Sequence, residues 1–409
     1  MKKTILLVLL SITITNAQNE PCQCAEDFSF LDDKVRKTPA YKVNKDSYEA
    51  GYTSLVEEAR NTTTSYDCHV LLNTLLLGLN DNHSKVYSID PGATEEVRTN
   101  NDAYATFKNS KLFNAFPRPN INLDSLRTAL QSTPIEAVEG VYKKEGYVTL
   151  GVYKHNSDTK YTAVVLNSET ELWEPGTVMY TLIPFGNEYL LSVGGDLASK
   201  RLIAYTERIE QGVFYFMGFR KDAINANFAS EVPYTNTYHR EELSENITYL
   251  MIGSFNAWYP TLSDAETFYA SLDGTLTKEH LIVDLRNNGG GGDRNSDILY
   301  KILKGYAKQN KIYVLTNHRT ISNAEQFAYK LSKFDATTLV GQRTNGTAAY
   351  ELKGDNYTLP CGHFVAVLTS KKHSAYLPIE SQGVKPEIVL APDRDWITQL
   401  TTFIENNSK

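Results

Sequence analysis

At 409 residues, 41% of them hydrophobic, the chain has ample material for substantial buried cores in two or three domains. Its 41 Lys and Arg against 48 Asp and Glu give a formal charge of −7, and an acidic chain without a basic run excludes the usual nucleic-acid binder. No stretch approaches twenty apolar residues, so no stable membrane span is expected.

The chain opens with Met1-Lys-Lys, a mainly apolar run from Ile5 to Ile14, and a small residue, Ala17, before Gln18. That pattern predicts a secretory signal peptide over 1–17 and a protein exported to a periplasm or secreted after its removal. Removal takes away Lys2 and Lys3 and moves the charge from −7 to −9. No Leu-x-x-Cys box leads closely into Cys22, which argues against a lipid anchor, although Cys22 and Cys24 keep that alternative open. An oxidising compartment permits Cys22 or Cys24 to bridge to Cys68, with scattered thiols as the competing reading. Cys-x-Cys without a second pair, and no His-Glu-x-x-His, give no reason to expect a metal or other cofactor.

Residues 18–134 read as a helical cap. Phe28, Phe30, Leu31 and Val35 mark one amphipathic helix, and Tyr48, Tyr52, Leu55, Val56 and Ala59 mark another. A leucine-rich helix from Val70 to Leu79 leads into His83-Ser84. Residues 135–240 change character to short Val/Tyr/Thr-rich runs at 147–153, 161–166 and 212–217 separated by turn formers, which predicts an antiparallel β domain, a small barrel in its simplest form.

Residues 241–409 alternate strand and helix signals: strands at 250–255, 280–285, 312–316 and 338–341, and a helix near 264–272. This is an α/β layered core. The strand at 280–285 runs into Asn287-Asn288 and then Gly289 to Gly292, where backbone N–H groups can approach a ligand without side chains between them. No Gly-Lys-Ser/Thr follows, so the run is not a phosphate cradle. After the strand at 312–316 comes Ser322, followed by Ala324, Phe327, Ala328 and Leu331 at helical spacing. Ser322 thus starts a helix, and Ser322-x-x-Glu325 has two readings, a capping box or an exposed nucleophile at the amide-rich end of the helix.

Asp284-Leu-Arg-Asn-Asn-Gly-Gly-Gly291, Thr320-Ile-Ser-Asn-Ala-Glu325, Gly341-Gln-Arg-Thr-Asn-Gly346 and Glu380-Ser-Gln-Gly-Val-Lys-Pro-Glu387 together resemble the tail-specific (C-terminal processing) protease family of serine peptidases. The order and spacing run without interruption from about residue 248 to 391, with Glu387 in place of the family's last Asp. The resemblance implies a crotonase-like fold and a peptide or protein substrate. No Gly-Leu-Gly-Phe-like loop marks a PDZ domain, so capture of a C-terminal tail does not follow.

Thr347 stands where that family has its lysine base. The tricorn-like branch uses histidine instead, and Leu79-Asn-Asp-Asn-His83-Ser84 resembles its Leu-x-Asp-x-His-Ser/Thr element. The resemblance implies Ser322 as nucleophile, His83 as base, and Ser84 or another hydroxyl with Glu380 to orient the ring. His373 is the rival base because it lies near Glu380 in sequence. An oxyanion hole would use the amide of Asn323 and one from Gly289 or Gly290. The expected function is an exported serine endopeptidase working through an acyl-enzyme. The alternative is a non-catalytic binding module on the same scaffold, holding a peptide or hydrophobic ligand. A carbohydrate-binding reading rests only on Trp173 and Trp258, aromatics that more often belong to a core.

Overall fold

In the computed structural model, which describes residues 23–154, 159–186, 188–222, 226–354 and 356–407, the chain is a mixed α/β protein built on two large sheets. The expected signal peptide at 1–17 and Cys22 lie outside the described residues. The first sheet orders its strands Tyr238–Glu242, Ile247–Ile252, His280–Asp284, Lys311–Thr316, Thr337–Gly341 and Ile388–Val389. Its first pair is antiparallel and every later pair parallel.

Parallel neighbours require crossovers, and helices Thr261–Leu272, Asp293–Tyr306 and Asn323–Leu331 supply the first three. Alternate residues of each strand face opposite sides. Leu250, Leu281, Val283, Ile312 and Val314 pack with Tyr269, Leu299, Leu303 and Phe327 of those helices. Tyr249, Ile282, Tyr313 and Leu315 pack on the other side with Trp396, Leu400 and Ile404 of the helix Trp396–Asn407. Burial on both faces is why these strands read as apolar runs rather than as alternation. Truncating a residue such as Phe327 to alanine would cost about 3–5 kcal/mol here.

The second sheet is antiparallel throughout and spans 140–221. Its order is Leu202–Glu207, Tyr189–Gly195, Val178–Phe185, Tyr161–Ser168, Val148–Tyr153, Gly140–Lys144, Arg220–Lys221, Val213–Phe214 and Ile209–Glu210. The strands at the two ends of that order are consecutive in the chain, with only Arg208 between them. The sheet therefore curls until its ends meet in one bent strand.

The described residues begin with four helices, Cys24–Val35, Pro39–Ala50, Tyr52–Asn61 and Ser65–Leu77, and three shorter ones, Glu95–Thr99, Asn101–Lys108 and Leu123–Gln131, follow before the sheet. The second and third replace the single helix expected over Tyr48 to Ala59. Gly51 lies between them, since glycine costs about 1 kcal/mol in a helix interior, and Tyr48 and Tyr52 on either side of it both donate to Asp32, at 2.9 and 2.8 Å. A Cys24–Cys68 disulfide ties the first helix to the fourth, and Cys361 is disulfide-bonded as well.

One pairing carries the N-terminal region to the Ser322 side of the molecule. Strand Lys85–Ser88 runs antiparallel to Phe364–Val367, with Lys85 opposite Val367. A single apolar cluster extends from the four helices through the curled sheet to Ala349, Phe364, Ala366 and Leu368. Residues 349–368, assigned by sequence to the 241–409 core, thus bury their apolar side chains with the helices.

Candidate active site

The loop after strand His280–Asp284 is held by side chains inside it. Asp284 is fully buried, bonded to Arg286 at 2.6 to 3.0 Å and to the Tyr249 hydroxyl at 2.8 Å. Asn288 donates to the Ile252 carbonyl at 2.9 Å, accepts the Gly290 N–H at 2.9 Å, and its own carbonyl accepts the Ile321 N–H at 3.0 Å. That residue stitches the glycine run to a neighbouring strand and to the turn before Ser322. Gly290 has φ +94, and a Cβ there would lie 2.7 Å from the Ile321 carbonyl oxygen and 2.8 Å from the Ser322 Cβ. Only glycine fits so close to the serine.

Ser322 starts its helix with φ +59 and ψ −124, an uncommon conformation for a residue with a side chain. Glu325 holds it there. Its buried carboxylate accepts the Ser322 N–H at 3.1 Å, the Thr344 hydroxyl at 2.5 Å, and the Gly346 and Thr347 N–H groups at 2.6 and 2.8 Å. Burial pushes this carboxyl up to about 7, against the pull of those four donors. The capping-box and exposed-nucleophile readings coexist: Glu325 returns to the Ser322 amide, while the Ser322 Oγ lies 3.1 Å from the His83 Nε2.

His83 arrives on a turn fixed by two carboxylates. Asp81 accepts the His83 N–H at 3.0 Å through Oδ1 and the Ser84 and Thr369 hydroxyls, both at 2.6 Å, through Oδ2. Glu380 accepts the Asn82 N–H at 3.0 Å and the Ala348 and Ala349 N–H groups at 2.7 and 2.6 Å. Burial raises the Glu380 carboxyl well above the usual range, with nearby Asp81 adding to the shift and the three amides opposing it. Burial also holds the His83 imidazole down to about 4; Asp81 and Glu351 oppose this shift and Lys85 adds to it.

Ser84 or another hydroxyl, with Glu380, was expected to orient the ring. Ser84 and Glu380 both bond to the turn that carries the ring, and the buried Nδ1 of His83 has no hydrogen-bond partner among the described residues. Asp81 is the residue that sequence reasoning left unassigned. Its signal was present two positions before His83, the offset at which an Asp side chain caps a turn.

The amides expected to form an oxyanion hole also separate. The Gly290 amide is committed to Asn288, whereas those of Gly289 and Asn323 have no acceptor among the described residues. Gly289, Asn323, Ser322 and His83 line one cleft of about 550 Å³, and Gly290 does not. His373 lines the same cleft, but its Nε2 is 2.8 Å from Glu351 Oε2, which also takes Lys371 Nζ at 2.9 Å. No lysine occupies the base position. Thr347 bonds to Asn345 at 2.5 Å, and buried Lys85 donates to the Asn82 carbonyl at 2.7 Å. Trp173 is buried in the core, while Trp258 lines the cleft and is 78% exposed, contrary to the expectation of a core residue.

Residues 295–390, which include Ser322, Glu325, Gly346 and Glu380, match the model described as Peptidase family S41. Among solved structures, mature CPAF is similar at 13% identity over 95% of this chain and 98% of that chain, with a TM-score of 0.46. The photosystem II D1 C-terminal processing protease is 14% identical over 91% and 94%, with a TM-score of 0.37. A lipoprotein from Streptococcus agalactiae is 10% identical over 96% and 99%, with a TM-score of 0.36. The match lies across the Ser322 turn and the Glu380 segment, so this part of the chain is similar to peptidase family S41.

Proposed function

We propose that the protein is an exported serine endopeptidase of the tricorn-like branch, with Ser322 as nucleophile and His83, rather than a lysine, as general base. The observation that carries this reading is the 3.1 Å separation of Ser322 Oγ and His83 Nε2, within the range for proton transfer. As Oγ attacks the scissile carbonyl, its proton passes to Nε2. The oxyanion that forms is stabilised by the Gly289 and Asn323 amides, each worth about 3 kcal/mol of barrier. Nε2 then returns the proton to the leaving amine, and water, deprotonated by the same nitrogen, cleaves the acyl ester. Glu380 and Ser84 serve as positioning residues through the Asn82–His83 turn, and Asp81 supplies negative charge near the imidazolium. The protease core is read as crotonase-like, spanning 241–409, with a cap at 18–134 and a β insert at 135–240.

Export is supported by the basic-then-apolar start and by the Cys24–Cys68 bridge, which suits an oxidising compartment. Among the described residues no helix is long and apolar enough to cross a membrane. The test is digestion of denatured casein by wild-type protein and by Ser322→Ala. Cleavage by the first alone supports the assignment, and equal cleavage by both contradicts it.

A further inference from the structure

Trp258 is the most exposed large apolar side chain among the described residues, at 78%, and the backbone that presents it is immobilised. Its N–H donates to Asn256 Oδ1 at 3.1 Å and its carbonyl accepts from Leu262 at 3.0 Å. The Asn256 carbonyl is held at 2.9 Å by Asn295, a fully buried side chain. Two main-chain bonds, Phe255 N–H to Gly290 at 3.0 Å and Gly292 N–H to Phe255 at 2.9 Å, clamp the same loop onto the glycine run. The backbone that carries the indole is thereby fixed relative to the amides beside Ser322.

Leu352, 41% exposed, lines the same cleft. It follows strand Tyr350–Glu351, whose partner is Lys371–Lys372. Charges near it are largely matched: Glu351 takes both Lys371 and His373, and Asp293 takes Lys330 at 3.3 Å. Trp258 and Leu352 are therefore the apolar part of a lining that otherwise carries paired charges and amides. Exposed apolar side chains scattered singly need no explanation, but two that line the cleft holding Ser322 offer apolar surface to whatever enters it. An aromatic side chain on a fixed backbone has only two torsions to order and so binds with little loss of conformational freedom.

Resting on the serine-peptidase reading, we infer that Trp258 and Leu352 form a clamp for a bulky apolar side chain of the substrate beside the scissile bond, and that Trp258 is the specificity-determining residue. Burying such a side chain changes discrimination by about 10- to 100-fold in kcat/KM.

The experiment maps cut sites in denatured casein by mass spectrometry and then measures kcat/KM on a matched peptide pair, one with Phe and one with Ala at the favoured position. Wild type, Trp258→Ala and Leu352→Ala are compared, with labelling by a small fluorophosphonate as a readout of Ser322 alone. The expected result is a preference of about 10-fold or more for the Phe peptide in wild type, largely lost in Trp258→Ala and reduced in Leu352→Ala, with labelling rates unchanged. Normal labelling and cleavage with an undiminished Phe preference in Trp258→Ala overturns the clamp while leaving the peptidase reading intact. Absence of labelling in wild type overturns the peptidase reading itself, and the clamp with it. A change in oligomeric state on gel filtration for Trp258→Ala, with selectivity preserved, assigns the indole to contact between copies and also overturns the clamp.

Discussion

The two sides of the cleft are built differently. On the nucleophile side, Gly289 to Gly292 and Ser322 come from neighbouring parallel strands, and Glu325, three residues from the serine, gathers four donors at once. On the histidine side, the turn is held by partners distant in sequence: Asn82 bonds to Glu380, 298 positions away, and Asp81 bonds to Thr369, 288 positions away. The first side depends on local chain geometry. The second depends on the pairing of Lys85–Ser88 with Phe364–Val367, and so on the packing of the whole N-terminal region.

Substitutions can separate the two. The largest effect is expected from Glu325→Ala, which strips the acceptor from three N–H groups and one hydroxyl. At about 1–3 kcal/mol for each buried unsatisfied group, thermal or urea unfolding should show a loss of several kcal/mol. Glu325→Gln, which keeps the shape, should lose less. Next comes Glu380→Gln, which puts an amide donor against main-chain N–H groups and loosens the Asn82–His83 turn. A fall of about 10²-fold in labelling rate with a modest change in melting temperature is expected, whereas an unchanged rate would detach Glu380 from the site.

The pH profile sharpens the contrast further. Base catalysis needs neutral imidazole, so activity rises as pH climbs through the His83 pKa. Burial lowers that value, so the acid limb should fall below the ordinary 6.5, toward about 4. The same shift sets a stability trend: the unfolded chain binds the proton more readily, so this residue's contribution erodes as pH drops from about 6.5 toward 4. An acid limb centred at or above 7 contradicts burial of the working base. The smallest effect belongs to His373→Ala. Its ring is engaged with Glu351 and a quarter exposed, so labelling should stay within about twofold of wild type.

Much of the nucleophile side was legible because its causes are local. A strand that ends in four glycines, and a serine followed by helical spacing, declare a turn and a helix start from composition alone. The commitment of the Gly290 amide was not legible, because it depends on the rotamer of Asn288 two residues earlier. On the histidine side, resemblance supplied His83, Ser84 and Glu380, but their bonding is a matter of tertiary geometry: Glu380 accepts from the Asn82 backbone and Ser84 donates to the Asp81 carboxylate. Asp81 went unassigned because it is one polar residue among several in Asn80-Asp81-Asn82. The exposure of Trp258 was hidden for a similar reason, since nothing in its neighbours reveals that Asn295 and Gly290 fix its loop outward.

The most direct test is the second-order rate of fluorophosphonate labelling at Ser322 in His83→Ala against wild type. If the imidazole activates the serine, the rate falls by about 10³-fold or more while the unfolding midpoint changes little. A labelling rate in His83→Ala equal to that of wild type would mean that the 3.1 Å contact is structural and that another group takes the proton.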